Sequence, residues 1–172
     1  VSVASWPQPD VNMLDERAEE VEKLVRKTFE DIADILKTTG ISPKKLHLYT
    51  AANWKWLLYL KALDLASRGS LTVGELMKAA SVEPALKERI KEVSKLAPKF
   101  AKELQSSPAE MQEQRRRMGQ LSEREALEDA AGFFAKEFKC GVTVFGESDA
   151  KKHDPKARAQ MAQPYRPAIY LE

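Results

Sequence analysis

Few residues in this 172-residue chain have the types and spacing that catalysis requires. The single cysteine and the two histidines exclude an internal disulfide and a zinc site built on cysteines, and they predict no metal site. His47 lies in a predicted strand and His153 in a basic segment, each without a serine or cysteine partner. Cys140 follows a predicted helix and has only Lys139 as a nearby cation, which is unfavourable for a nucleophile.

Motifs for phosphate binding and for nucleophilic catalysis are also missing from the sequence. It contains no Gly-rich phosphate loop of either common spacing, and no serine lies in a nucleophile-elbow context. Acidic side chains are numerous, but they lie on predicted helices whose opposite face is apolar, which is typical of a solvated surface. We therefore predict no catalytic residue and no cofactor bound by this chain.

Three groups of residues could instead contact a nucleic acid. Trp54 and Trp56 could stack on bases, although two aromatics on an otherwise apolar helix are more typical of core packing. The run Arg115, Arg116 and Arg117 could bind phosphates, or it could be solvated and complement a helix dipole. The segment Gly146–Arg166, named the basic loop, is the better candidate, because cationic loops suit phosphate backbones. Its candidate residues are Lys151, Lys152, Lys156, Arg158 and Arg166.

Composition describes one globular domain without a membrane span. The hydrophobic fraction is 43% and the charged fraction is 31%, which excludes a disordered chain. The longest apolar run is far shorter than the ~20 residues of a membrane helix, and no secretory signal is present, so we expect a cytoplasmic protein. Acidic residues concentrate early and basic residues late, although the net charge is only +2. That asymmetry fits a surface that faces a polyanion.

The elements are organised around the strand–helix unit 44–66. Residues 46–49 alternate as a strand does, and Thr50 or Asn53 can cap an apolar helix that begins at Trp54. The other good strand candidates are 141–146 and 168–171, joined by the basic loop. A loop of this length is functional or disordered in most compact domains.

Helices fill most of the remaining chain. Residues 13–38 predict a long amphipathic helix that Gly40 ends, and residues 72–138 predict several shorter helices. Thr72 and Ser122 each begin a capping-box spacing, and Pro98 should kink or split its helix near Ala97. The predicted fold is therefore α/β (α+β), mostly helical, with a small sheet of about three strands packed by helices mainly on one face.

Three stretches carry a family resemblance. WPQPD near the start, LHLYTAANWKW in the strand–helix unit and MAQPYRPAIYLE at the end resemble the C-terminal region of leucyl-tRNA synthetases of the archaeal and eukaryotic-cytosolic type. The resemblance is most specific at YTAANWKW and PAIYLE, and it covers nearly the whole chain. A start on Val1 rather than Met also predicts a fragment.

The resemblance implies a tRNA-binding appendage. Residues 1–12 would be a linker from an upstream helical bundle, and residues 13–172 a C-terminal domain that reaches the corner and long variable arm of tRNA(Leu). Activation of leucine with ATP, and editing, would belong to the remainder of the same synthetase chain. The fragment itself would need no cofactor and would not catalyse aminoacylation.

If the resemblance holds, the lysines Lys44, Lys45 and Lys139 would join the basic loop in contacting phosphates. The tail Pro167–Glu172, which includes Ile169, would meet extruded bases, because RNA is read largely at unstacked loops and ends. The alternative is a protein-interaction domain that docks a partner through its helix surfaces. A stand-alone enzyme is the weakest interpretation, because the chain lacks a catalytic constellation.

Overall fold

The computed structural model describes the backbone of residues 11–172 and the side chains from Glu16 onward. The predicted linker lies almost entirely outside these residues, and the first helix is already formed at Val11. Within the described part, the elements in chain order are α1 Val11–Thr39, β1 Lys45–Thr50, α2 Asn53–Ser67, α3 Val73–Ser81, α4 Pro84–Lys87, α5 Ile90–Gln105, α6 Ala109–Met118, α7 Glu123–Phe138, β2 Gly141–Gly146 and β3 Ala168–Leu171, with a 3-10 turn at Ala159–Met161.

The mostly helical α+β fold is confirmed. Helices make up 62% of the residues, and the three strands form one mixed sheet in the order β2-β1-β3. The central strand β1 runs parallel to β2 and antiparallel to β3. All three predicted strands are present, each within about a residue or two of its predicted bounds.

Alternation along β1 gives the sheet two different faces. Leu46 and Leu48 point to one face, where they pair with Val142 and Val144 of β2, and α7 packs on this side. His47 and Tyr49 point to the other face, where the Tyr49 hydroxyl donates a hydrogen bond to the carbonyl of His153 in the basic loop. Helices therefore cover one face of the sheet, and the basic loop crosses the other.

The helix α2 lies at the centre of the helical layer, in contact with α3, α5 and α6. Trp56 is fully buried and meets Tyr59 edge to face, at 6.2 Å between ring centroids. Of the two interpretations of the tryptophans, core packing is therefore the one that holds for Trp56. Among the described helices, none combines the length and apolar character that crossing a membrane requires.

Glycine ends the helices as predicted, but two of the predicted caps are wrong. Gly40 has φ +66° and donates its amide to the Leu36 carbonyl at 2.9 Å. Thr72 caps α3 by accepting from the Glu75 amide at 3.1 Å. The N-cap of α2 is Ala52 rather than Thr50 or Asn53, and Ser122 makes no cap bond to α7. Ser122 has ψ 65°, outside the extended conformation that side-chain caps adopt.

Pro98 does not split its helix, which runs unbroken from Ile90 to Gln105. The break falls earlier, at Glu88 and Arg89, between α4 and α5. Pro98 is exposed, while the opposite stripe of α5 is buried at Val93, Ala97, Phe100, Ala101 and Leu104. Burial of that stripe outweighs the one hydrogen bond that proline removes.

Two hydrophobic regions lie at the margin of the core. Phe133 on α7 is 48% exposed, although it contacts Phe29 of α1 with 5.5 Å between ring centroids. Ile169 and Leu171 of β3 are only partly buried, because β3 is an edge strand of the sheet. The tail is therefore joined to the core mainly by its backbone pairing with β1.

Candidate nucleic-acid interface

A buried lysine is the first anchor of the basic loop. Lys55 of α2 is only 2% exposed. Its Nζ donates to the carbonyls of Gln160 and Ala162, each at 2.7 Å, and forms an ion pair with Glu147 at 2.8 Å. Glu147 also accepts the backbone amide of Ala52 at 3.1 Å, at the start of α2. Both halves of the loop are thereby fastened to the same helix end.

The second anchor is the buried carboxylate of Glu123, in the first turn of α7. Its Oε1 accepts the backbone amide of Tyr165 at 2.5 Å. Burial raises the pKa of Glu123 to about 7, against the opposite effect of the Tyr165 and Ala51 amides and the Trp56 side chain. This contact holds the last turn of the loop immediately before β3.

The third anchor is Arg115, the first member of the arginine run. Its guanidinium lies 3.7 Å from the centroid of the Tyr165 ring and donates to the Tyr59 hydroxyl at 2.9 Å. It also contacts Glu20 of α1 at 3.2 Å, and Glu20 is only 1% exposed. Arg115 thus joins α1, α2 and the basic loop, and its Nε and Nη1 donate to protein groups.

The other two arginines of the run are exposed but paired. Arg116 contacts Glu113 at 2.6 Å and Asp64 at 3.8 Å, and Arg117 contacts Glu16 at 2.8 Å. These pairs join α6 to α2 and α1. That either arginine binds phosphate stays a prediction.

Lys156, Arg158 and Arg166 of the basic loop lie in a different setting. They line a surface groove between the C-terminal half of α1 and strand β3, named the α1–β3 groove. Its apolar floor includes Ile35 of α1 and Ile169 of β3. The three cationic side chains are exposed, and none forms an ion pair with another residue that the structure describes.

The groove is not purely basic. Asp31 and Asp34 of α1 line its opposite side, and Asp31 is paired with Lys27 at 3.1 Å. The groove therefore has a cationic rim on the loop side, a half-buried isoleucine beneath it and an acidic rim on the helix side. Along α1 it lies roughly 27 Å from Arg17, which contacts α6 beside the arginine run.

The lysines outside the loop gather at one end of the sheet. The amides of Lys44 and Lys45 both donate to the Glu172 carbonyl, at 2.7 and 2.9 Å. The Lys44 carbonyl accepts from Gly141, next to Lys139, which has φ 52°. This end thus brings Lys44, Lys45 and Lys139 together with the last residue of the chain.

Lys151 and Lys152 lie in the loop turn near Asp149. Lys152 Nζ donates to the Asp149 carbonyl at 3.3 Å.

One further cluster, on the loop-covered face, was not predicted from the sequence. His153 Nε2 lies 2.9 Å from a Glu172 carboxylate oxygen, and His47 Nε2 lies 3.7 Å from the same oxygen. The His47 ring also stacks on Tyr170, with 5.9 Å between centroids. Burial, followed by the nearby His153, lowers the pKa of His47. The only signal of this cluster in the sequence is the alternation that turns His47 and Tyr49 to one face.

Comparison with known proteins gives relatives along the whole chain. It is 36% identical over 172 residues to the leucine–tRNA ligase of Methanosarcina acetivorans, and 37% identical over 175 residues to that of Methanococcoides burtonii. It is 38% identical over 172 residues to that of Methanothrix thermoacetophila. Each alignment covers 100% of this chain. The chain corresponds to the C-terminal region of the archaeal-type leucyl-tRNA synthetases.

The correspondence is limited to one region of these synthetases. The chain spans only 17–18% of their length, so the names of the whole proteins do not by themselves assign an activity to it. No protein-family model matches the chain. The resemblance to this synthetase family is nevertheless confirmed.

Proposed function

We propose that this chain is the tRNA-binding appendage of a leucine–tRNA ligase, and that the α1–β3 groove and the adjoining tail contact the RNA. The observation that carries the proposal is the cationic rim of the groove. Lys156, Arg158 and Arg166 are exposed, and none of them forms an ion pair with another described residue. Relatives along the full chain that are named leucine–tRNA ligase support the choice of tRNA as the polyanion.

The groove suits single-stranded or extruded nucleotides better than a smooth duplex. Cationic side chains on the loop rim would contact phosphates, and the floor at Ile169 would meet the face of an unstacked base. RNA is recognised largely at such unstacked loops and ends, where bases are open to contact. Asp31 and Asp34 on the other rim are acceptors that suit the amino groups of a base and repel a second phosphate. The long variable arm of tRNA(Leu) is the region that we expect to supply these nucleotides.

The catalytic steps are assigned to the remainder of the synthetase. The parent enzyme would bind ATP and leucine in upstream domains of the cytoplasmic protein, and this region would select and position the tRNA. The fragment alone should bind tRNA and should not aminoacylate it.

The test is the binding of this 172-residue chain to tRNA(Leu) over a series of salt concentrations, beside a tRNA with a short variable arm. The key variant replaces Lys156, Arg158 and Arg166 by glutamine. The matched control makes the same three-charge change at Lys91, Lys95 and Lys99, which are exposed on α5. Each lost phosphate contact should reduce the log–log salt slope by ~0.7 to 0.9.

We expect weaker binding and a shallower slope in the groove variant, with no change in the control. Equal loss in both variants would show that only total charge matters, and would contradict the groove assignment. Binding of neither tRNA by a folded sample would favour the alternative, a protein-interaction domain, whose affinity for its partner would depend little on salt.

A further inference from the structure

The cluster on the loop-covered face has the composition of a metal centre. His47 of β1, His153 of the basic loop and Glu172 after β3 each turn one ligand atom to a common point, and these atoms all lie within 4.8 Å of one another. The three residues come from three separate segments of the chain, so their convergence is produced by the fold. They lie outside the α1–β3 groove, and only Glu172 also belongs to the tail that adjoins it.

The distances from the Glu172 oxygen to the two imidazoles suit a tetrahedral ion. Zinc binds imidazole nitrogen and carboxylate oxygen at about 2.0–2.2 Å, so two ligands of one tetrahedron are about 3.3 Å apart. Here the Glu172 oxygen is 2.9 Å from His153 Nε2 and 3.7 Å from His47 Nε2. Shifts of a few tenths of an ångström would bring both to that separation.

His47 supplies an independent observation. Its side chain is buried, at 5% exposure, and neither ring nitrogen has a hydrogen-bond partner among the described residues. A buried polar group without a partner is unfavourable. An ion pair between His153 and Glu172 alone leaves His47 Nε2 unsatisfied, whereas a shared ion would satisfy it.

We propose that His47, His153 and Glu172 form a binding site for one divalent transition-metal ion of the zinc type. Two imidazoles and one carboxylate match the ligand preference of Zn²⁺, and they differ from the all-oxygen set of Mg²⁺ or Ca²⁺. His153 and Glu172 are both about half exposed, which leaves a route from solvent and room for a water as the fourth ligand. The bound ion would fasten the basic loop and the end of the chain to the central strand.

The chain offers a clean test, because it contains only two histidines and one cysteine. The chain, without any affinity tag, is stripped of metal by a chelator and titrated with ZnCl₂ by calorimetry. Cobalt is titrated in parallel, because tetrahedral Co²⁺ has a strong visible absorption that reports its ligand geometry. His153→Gln and Glu172→Gln are the main variants, since both side chains are exposed and the fold should tolerate the change.

We expect one ion per chain, a tetrahedral cobalt spectrum and a rise in Tm with added zinc. Each single variant should weaken binding by at least about tenfold, since loss of even an outer-shell partner costs that much in known sites. Cys140→Ser is the matched control and should leave affinity unchanged, because Cys140 is not a member of the cluster.

The proposal would be overturned by a folded chain that takes up no zinc saturably. It would equally be overturned by binding that persists in the double variant His47→Gln/His153→Gln, or that depends on Cys140. Circular dichroism and Tm of each metal-free variant separate loss of the site from loss of the fold. None of these outcomes depends on whether the groove binds tRNA.

Discussion

The arginine run of α6 and the basic loop have similar charge in the sequence and opposite roles in the structure. Arg115 lies against Tyr165, Tyr59 and Glu20, and its neighbours in the run are paired with acidic residues of other helices. The loop cations Lys156 and Arg158 are exposed at a groove without such partners. One region uses its charge to join helices, and the other presents its charge to solvent.

This difference shows that buried charged residues outside a binding surface can hold that surface in place. The basic loop places only Ala159, Ala162 and part of Tyr165 against the hydrophobic core, so polar contacts supply much of its attachment. Lys55, Glu123 and Arg115 hold it from beneath through its carbonyls, an amide and an aromatic ring. Its exposed lysines and arginines are thereby left available to a ligand.

The largest effect is expected from removal of the central anchor, Lys55→Met. The change leaves the partly buried Glu147 without its cation and two loop carbonyls without a donor. Loss of one partner of a buried ion pair costs about 4 kcal/mol in unfolding free energy. Denaturant unfolding measures the loss, and limited proteolysis should cut first within the loop. A double variant with Glu147→Gln should recover part of the loss, because it removes the unpaired charge.

The next largest loss of stability is expected from Arg115→Met, and it should exceed the loss from the same change at Arg117. Arg115→Met leaves the buried Glu20 with Lys23 as its only ion-pair partner among the described residues, so we expect a loss of about 3 kcal/mol. Arg117→Met removes an exposed pair and should cost less than about 1 kcal/mol. Equal losses in the two variants would contradict the structural role assigned to Arg115. The measurement is again the free energy of unfolding in denaturant.

Glu123, which holds the basic loop, should make the unfolding free energy depend on pH. Its folded-state pKa of about 7 is raised from 4.5, so the folded chain binds this proton more tightly than the unfolded chain does. The contribution to stability is complete below about pH 4.5 and is lost as the pH rises through about 7. Between about pH 5 and pH 7.5 the loss amounts to about 2 kcal/mol.

Glu123→Gln should remove that part of the pH dependence, because the glutamine oxygen still accepts the Tyr165 amide but carries no titrating proton. The difference in unfolding free energy between the two pH values should be smaller in the variant than in the parent chain. An unchanged difference would mean that other groups govern the pH response of the fold. Tyr165, the titratable side chain that faces Glu123, has its pKa raised by burial and does not titrate in this range.

The helices and strands were predicted well from the sequence, because they depend mainly on residues close together in the chain. Alternation at Leu46–Tyr49 indicated the central strand, and Gly40 ended its helix as expected. The capping errors have the opposite cause. At α2 the Ala52 amide is bound by Glu147, a residue that is 95 positions away in the sequence. No local spacing indicates such a partner.

The candidate site was less predictable for the same physical reason. A lysine within an apolar helix gives no indication that its charge is buried against a loop 105 and 107 residues further on. Arg115 and Arg117 look alike in sequence, and only the packing of α6 on α1 and α2 separates them. The proximity of His47 and His153 likewise has no signal in the sequence, because the sheet and the loop path bring them together.

The smallest effect on stability, and the sharpest contrast in binding, should come from paired glutamine substitutions in the two regions. Lys156→Gln/Arg158→Gln should change the unfolding free energy by less than about 0.5 kcal/mol, because neither side chain has an ion-pair partner among the described residues. The same variant should reduce the log–log salt slope of tRNA binding by roughly 1 to 2. Arg116→Gln/Arg117→Gln removes equal charge from paired positions, so its salt slope should stay close to that of the parent chain. If the arginine variant lost the larger part of the slope, α6 would be the RNA-facing surface and the groove would not. Equal and small changes in both would shift the assignment to the cations that neither variant alters, among which Lys44, Lys45 and Lys139 lie together at the end of the sheet where the chain's last residue is held.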